Sequence, residues 1–214
     1  MRKLSLVLML ALTFGFAIGQ EPKKDETKKP DEPKKDAPAA ATTDYYPLAK
    51  GNKWTYLMGQ TEVVVEVTDV VNGEAKLVTK HQNKVVADES IKVTADGVYR
   101  TKINNTPIEG GGVKILNLKD GKATKGDKWQ VKSKVQQADV SGEFEVKDTA
   151  GTLKIGTNDY KDVVNVEGPK FVIAGTETAV KYWFAPKSGI VKLSYTIAGS
   201  ESVPLELKSF EAGK

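Results

Sequence analysis

The stretch Val180-Lys181-Tyr182-Trp183-Phe184-Ala185-Pro186-Lys187-Ser188-Gly189-Ile190-Val191-Lys192-Leu193-Ser194-Tyr195-Thr196-Ile197 decides the fold. Val180, Tyr182 and Phe184 share one phase of a two-residue period, and Val191, Leu193, Tyr195 and Ile197 resume it after the turn. Successive side chains of a strand point to opposite faces, so this pattern predicts two strands with one buried face. Pro186 has no N–H to give a ladder and ends the first strand, while Lys187-Ser188-Gly189 turns the chain. Trp183 falls on the opposite phase from its aromatic neighbours, which makes an outward Trp183 a binding candidate.

The same period runs outward from this stretch in both directions. Val63, Val65 and Val67 lead into Asn72-Gly73, a hairpin signal because both residues tolerate positive φ. Ile91 and Val93 precede Asp96-Gly97, and Tyr99 and Ile103 follow it on the same period. Trp129, Val131 and Val135 alternate with Gln130, Lys132, Lys134 and Gln136; Phe144 and Val146 alternate with Glu143, Glu145 and Lys147; Val203, Leu205 and Leu207 close the chain. One face is wet and the other buried, as in antiparallel sheets. About a dozen strands are expected by this template, a number that curls a sheet or splits it in two. The expected fold is therefore all-β: a strongly curved antiparallel sheet or open β-barrel, with little or no helix after the leader. Gly110-Gly111-Gly112 ends a non-periodic loop from Asn104, and the following Val113-Lys114-Ile115-Leu116 reads as strand, which excludes a phosphate-cradling loop with its helix.

Upstream of this domain the chain changes character twice. Met1-Arg2-Lys3 and the mostly apolar Leu4 to Ile18, with small residues at Ala17 and Gly19, predict a secretory leader over residues 1–19. The apolar run is too short for a retained anchor, since a bilayer core asks for roughly 20 apolar residues. Gln20 stands where a bacterial lipoprotein signal would place Cys, and the sequence contains no Cys, so neither lipid nor stable membrane anchorage is expected after cleavage. Residues 20–43 hold six Lys, six Asp or Glu and four Pro, without an aromatic residue. Such a segment buries too little apolar surface to fold and reads as a charge-balanced spacer. Residues 44–214 then form a single domain, in a protein exported to the periplasm or beyond.

Taking the leader's two basic residues and the balanced spacer from the totals leaves 24 basic against 22 acidic residues in the domain. That excess is too weak for a nucleic-acid partner, which calls for a basic stripe with stacking aromatics. The lack of Cys means the core must suffice without disulfides. Two short segments echo one another, Lys50-Gly51-Asn52-Lys53-Trp54 and Lys125-Gly126-Asp127-Lys128-Trp129. Because the similarity stops at their flanks, they read as one local turn used twice rather than a duplication.

Tyr46-Pro47-Leu48, Gly51-Asn52, Trp54 and Tyr56 near the start, Gly126-Asp127-Lys128-Trp129 in the middle, and Tyr160, Asp162-Val163-Val164 and Val166 later carry a family likeness. With Tyr182-Trp183-Phe184-Ala185-Pro186, Gly189-Ile190-Val191-Lys192 and the closing Leu205-Glu206-Leu207-Lys208-Ser209-Phe210, they make the whole domain resemble the TapB-like family of bacterial exported domains. The resemblance implies a strongly curved antiparallel sheet and an envelope location, and it brings no catalytic residue. It is loosely similar to the periplasmic lipoprotein carriers, from which the chain departs by lacking the helical pattern of their lid.

Catalytic chemistry finds little to work with. His81 is the single histidine and follows Lys80 at a strand end, with no acidic or nucleophilic motif beside it. Glu143 and Glu145 share the wet face opposite Phe144 and Val146, where solvation explains them without a glycosidase pair. No catalytic residue, metal site or cofactor is expected. The ligand-binding candidates are Trp183, Trp54, Trp129 and Tyr195. The expected function is that of a non-enzymatic envelope protein, binding either a lipid-like ligand in its curved sheet or another envelope protein on a filled core. A carboxylate-based hydrolase is the remaining alternative.

Overall fold

The computed structural model describes residues 43–135, 137–201 and 204–213. The leader, the spacer up to residue 42, and the strand positions Gln136 and Val203 lie outside the described residues. The domain is all-β, as its alternation predicts, with one sheet of 14 strands among the described residues. In the first half these are β1 (Lys53–Met58), β2 (Thr61–Val71), β3 (Glu74–His81), β4 (Lys84–Thr94), β5 (Gly97–Ile103), β6 (Thr106–Pro107) and β7 (Val113–Asn117). The second half holds β8 (Lys128–Val135), β9 (Ala138–Ile155), β10 (Asn158–Ile173), β11 (Thr176–Ala185), β12 (Gly189–Ile197), β13 (Ser200–Glu201) and β14 (Leu205–Glu211). Among the described residues the helical element is one 3₁₀ turn, Glu109–Gly111, inside the loop that the sequence leaves without a period.

Each half is an antiparallel meander, and the two meanders pair alike. In the first, β1 through β5 pair in sequence, and β5 then pairs with both β6 and β7. In the second, β8 through β12 pair in sequence, and β12 then pairs with both β13 and β14. The two echoing segments open the two halves. Gly51 N donates to Val67 O at 2.8 Å and Val67 N to Asn52 O at 2.9 Å; Gly126 N donates to Val146 O at 2.8 Å and Val146 N to Asp127 O at 2.9 Å. Gly51 and Gly126 turn at φ 85° and 87°, a left-handed conformation that costs glycine little. The echo therefore marks equivalent points of two equivalent halves, which corrects its reading as an isolated local turn.

The strip curls until its ends meet. On one side β14 pairs with β1 along its whole length, from Lys53↔Glu211 to Met58↔Leu205. On the other, β8 is joined to the segment from β6 to β7 by an isolated bridge between Ile108 and Val135 and by two side chains. Trp129 Nε1 donates to Lys114 O at 2.9 Å and Ser133 Oγ to Glu109 O at 2.6 Å. The result is a nearly closed barrel.

Apolar side chains fill its interior. Val67, Leu77, Val98, Val146, Val166 and Phe184, spread over six strands, are 0% exposed. Phe144 and Phe171 pack at 4.8 Å between ring centroids, and each lies over a glycine of the neighbouring strand. A Cβ on Gly168 would stand 2.7 Å from Phe144, and one on Gly142 2.5 Å from Phe171. Tyr182 and Phe184 point inward and Trp183 outward, as their phases predict. In β5 the phase inverts. A bulge opposite Ser90 and Ile91 turns Val98, Arg100 and Ile103 inward, and Tyr99 outward, so Tyr99 and Ile103 do not share the face that their spacing suggests.

Candidate functional site

The four sequence candidates separate in the barrel. Trp54 is buried, donates its indole N–H to Ser188 O at 2.7 Å, and packs on Tyr46 and Phe210. Trp129 closes the β7–β8 seam and contacts Phe144 at 5.6 Å. Both are tied into the barrel by these contacts. Trp183 is half-buried on the outer face, with Lys192 Nζ 5.7 Å from its ring centroid across the β11–β12 pair. The equivalent register pair of the first half is Lys92 opposite Tyr99, whose ring has Lys114 Nζ 5.1 Å from its centroid. Tyr195 alone joins a polar cluster, inside the barrel.

That cluster centres on two residues that the sequence reading passed over. Glu89 and Arg100 face inward from β4 and β5 and form an ion pair, Nε to Oε2 2.5 Å, with side chains 16% and 7% exposed. Burial acts against the Arg100 charge, but the Glu89 carboxylate beside it more than offsets that and holds the guanidinium above its ordinary pKa. Burial raises the phenols of Tyr46, Tyr56 and Tyr195 well above the usual range, so they stay protonated. Tyr56 donates to Ile190 O at 2.8 Å, and Tyr195 shares a hydrogen bond with Tyr182.

The second half shows what the fold requires at these positions. Ile91↔Arg100 and Glu89↔Ile103 in β4–β5 correspond to Tyr182↔Leu193 and Val180↔Tyr195 in β11–β12. Where the first half has Glu89 and Arg100, the second has Val180 and Leu193. Charges are not a demand of the architecture. The cluster can hold charge and donate hydrogen bonds.

His81 is half-buried at the end of β3 opposite Lys84, and Glu143 and Glu145 lie on the outer face within 4 Å of Lys128. No group of three or more His, Cys, Asp or Glu residues suited to a metal occurs among the described residues. At the β4–β5 hairpin Asp96 accepts hydrogen bonds from Thr94 Oγ1 and Tyr99 Oη, both 2.5 Å, and from Lys114 Nζ at 3.0 Å. These bonds, Thr94 foremost, hold its carboxyl well below the usual carboxylate range. A carboxyl depressed in the folded state stabilises above its unfolded pKa, about 3.9, and that gain is lost as pH falls through the folded value. Asp96→Asn is accordingly expected to flatten the acid limb of a Tm against pH profile below about pH 4. At neutral pH the effect stays within about 1 kcal/mol, because the side chain is largely exposed.

No family model matches the chain, and no curated protein matches it. Solved structures do share its fold. One, from Bacteroides fragilis, is described as an exported protein with a YmcC-like fold; it matches with a TM-score of 0.55 and 12% identity, over 80% of this chain and 100% of its own. Another, from Parabacteroides distasonis and described as a lipoprotein, matches with a TM-score of 0.53 and 13% identity, over 83% of this chain and 100% of its own. At these identities the likeness is one of fold.

Proposed function

We propose that this chain is an exported, non-enzymatic protein of the bacterial cell envelope whose barrel serves as a docking module, its core filled and its outer surface meeting another envelope component. The packing of the inward side chains carries this reading. A lumen wide enough for a lipid chain would expose the residues that line it, whereas inward residues on six strands are 0% exposed. The outer face supports a water-facing barrel. Cross-strand pairs such as Lys192–Glu206 at 2.6 Å and Lys181–Glu167 at 3.3 Å stand where a barrel in lipid needs an apolar band. The leader and spacer of the sequence, the TapB-like resemblance and the described character of the two fold neighbours all suit an envelope location.

The topology also gives the module a direction. Alternate turns of an antiparallel meander lie at the same end, so the domain's first strand starts at the end where β14 finishes. Asn52 secures that end, accepting from Gly213 N at 2.7 Å. A spacer ending at Thr43 enters there, and the opposite end points away from it. The turns at that far end, Gly59-Gln60, Gln82-Asn83, Asn104-Asn105, Ala174-Gly175 and Ala198-Gly199, are uncharged and exposed. We assign the docking surface to this end. Native mass spectrometry of the mature protein tests the filled core: the bare polypeptide mass is expected, unchanged by added fatty acid. A co-purified lipid, or a mass shift on adding oleate, would replace this reading with an interior lipid site.

A further inference from the structure

We propose that the open edge of β8 is a strand-addition site, taking an extended segment of a partner protein that carries acidic residues at alternate positions. The unlike seams of the barrel create it. β8 pairs with β9 over its whole length, from Lys128↔Glu145 to Val135↔Ala138, and has no ladder on its other side among the described residues. Val146 N donates to Asp127 O at 2.9 Å, and from there the register of β8 on β9 runs without a shift. Backbone groups alternate in direction along a strand, so Trp129, Val131 and Ser133 turn their N–H and C=O toward β9, while Lys128, Gln130 and Lys132 turn theirs to the seam. Across that seam side chains stand in for a ladder: Trp129 Nε1 and Ser133 Oγ donate to Lys114 O and Glu109 O. An incoming strand displaces these two bonds and supplies backbone partners along the whole edge.

The charge of the seam selects the occupant. Of the domain's 24 basic and 22 acidic residues, seven Lys and two Asp fall between Val113 and Val135, which leaves the rest of the domain slightly acidic. Lys119, Lys122, Lys125 and Lys132 are exposed and form no ion pair among the described residues. A second copy does not suit this edge, since two β8 strands side by side would set lysines against lysines. The chain's own spacer does not suit it either: its four Pro lack ladder donors, and it leads in beside β1, which stands mid-strip and hence across the barrel from the seam. An acidic strand of another protein meets neither obstacle. Paired antiparallel, it sets the residues opposite Lys128, Gln130 and Lys132 on the same outer face, where carboxylates meet the lysines, and turns its alternate, apolar residues inward beside the buried Val131. The site lies on the barrel wall, apart from the far-end turns, so its failure leaves that docking surface untouched.

Titration calorimetry of the mature protein with an eight-residue peptide, the length of β8, in which Glu alternates with Val tests the site. Saturable binding is expected, with hydrogen exchange slowed at Lys128, Gln130 and Lys132. The same peptide with Lys for Glu is expected to bind several-fold more weakly, and Lys132→Glu to narrow that difference. N-methylation of the peptide's glutamates removes the donors that face β8 while keeping the charge, and is expected to abolish binding. Gln130→Pro applies the same test from the protein's side, because the N–H it removes serves no bond to β9. No saturable binding of the Glu–Val peptide, equal binding of the Lys–Val peptide, binding that survives methylation of the glutamates, or protection confined to another strand would each overturn the proposal.

Discussion

Replacing Arg100 by leucine alone lowers the free energy of unfolding by about 3–5 kcal/mol, because it strands the Glu89 carboxylate in the barrel interior. In a domain of this size that corresponds to a fall in Tm on the order of 10 °C. Glu89→Val should cost about as much, this time by stranding the guanidinium. The double substitution is the informative one. Breaking a buried pair is expensive, while replacing both partners by well-packed apolar residues is often neutral or stabilising. The second half carries Val180 and Leu193 at the corresponding positions and buries both. Glu89→Val with Arg100→Leu is therefore expected to lie within about 1–2 kcal/mol of the parent, far above the sum of the single losses. Denaturant unfolding of the four proteins measures the cycle. If the losses simply add, the pair is not the unit described here, and each residue is held by other contacts.

The cycle also shows where sequence reading stops. The alternation of Val180, Tyr182 and Phe184, or of Val63, Val65 and Val67, survives into the barrel because a half-buried strand has no other way to place its apolar side chains. Asn72-Gly73 turns with φ 52° and 79°, as a two-residue hairpin demands. Glu89 was legible too: it keeps phase with Ile91 and Val93, and a carboxylate on an apolar phase is a signal. Arg100 was hidden by the bulge. With Tyr99 and Ile103 taken as one face, Arg100 falls on the wet side, and the extra residue that inverts the phase leaves no mark in the hydrophobic pattern. The repeat was hidden for a different reason. Strand pairing is a property of backbone hydrogen bonds and tolerates nearly any alternating sequence, so the halves can diverge at almost every position except the turn that opens them. Trp183 and Tyr195 show the same limit at the level of the site: their phases were legible, whereas their neighbours across strands were not.

The largest single loss among the tryptophans is expected at Trp54. It is 2% exposed, stacks on Tyr46 at 5.9 Å, meets Phe210 at 5.2 Å and donates to Ser188 O. Through these contacts it joins the chain's entry segment, the closing strand β14 and the β11–β12 turn. Trp54→Ala removes a buried aromatic side chain and its cavity cannot collapse without parting those three elements, so a loss of about 3–5 kcal/mol is expected. Trp129 opens the second half by the same turn but is half-buried and faces the weaker seam, where β8 meets the segment from β6 to β7 through one isolated bridge, Ile108 to Val135. Trp129→Ala should cost distinctly less, and its effect should be local. Hydrogen exchange separates the two: Trp129→Ala is expected to speed exchange in β7 and β8 first, while Trp54→Ala lowers protection across the sheet, because β1 pairs with β14 and β2 and so links the two halves. Equal losses from the two variants would mean that the seams are equally strong, and that the barrel closes through β7 and β8 as firmly as through β14 and β1.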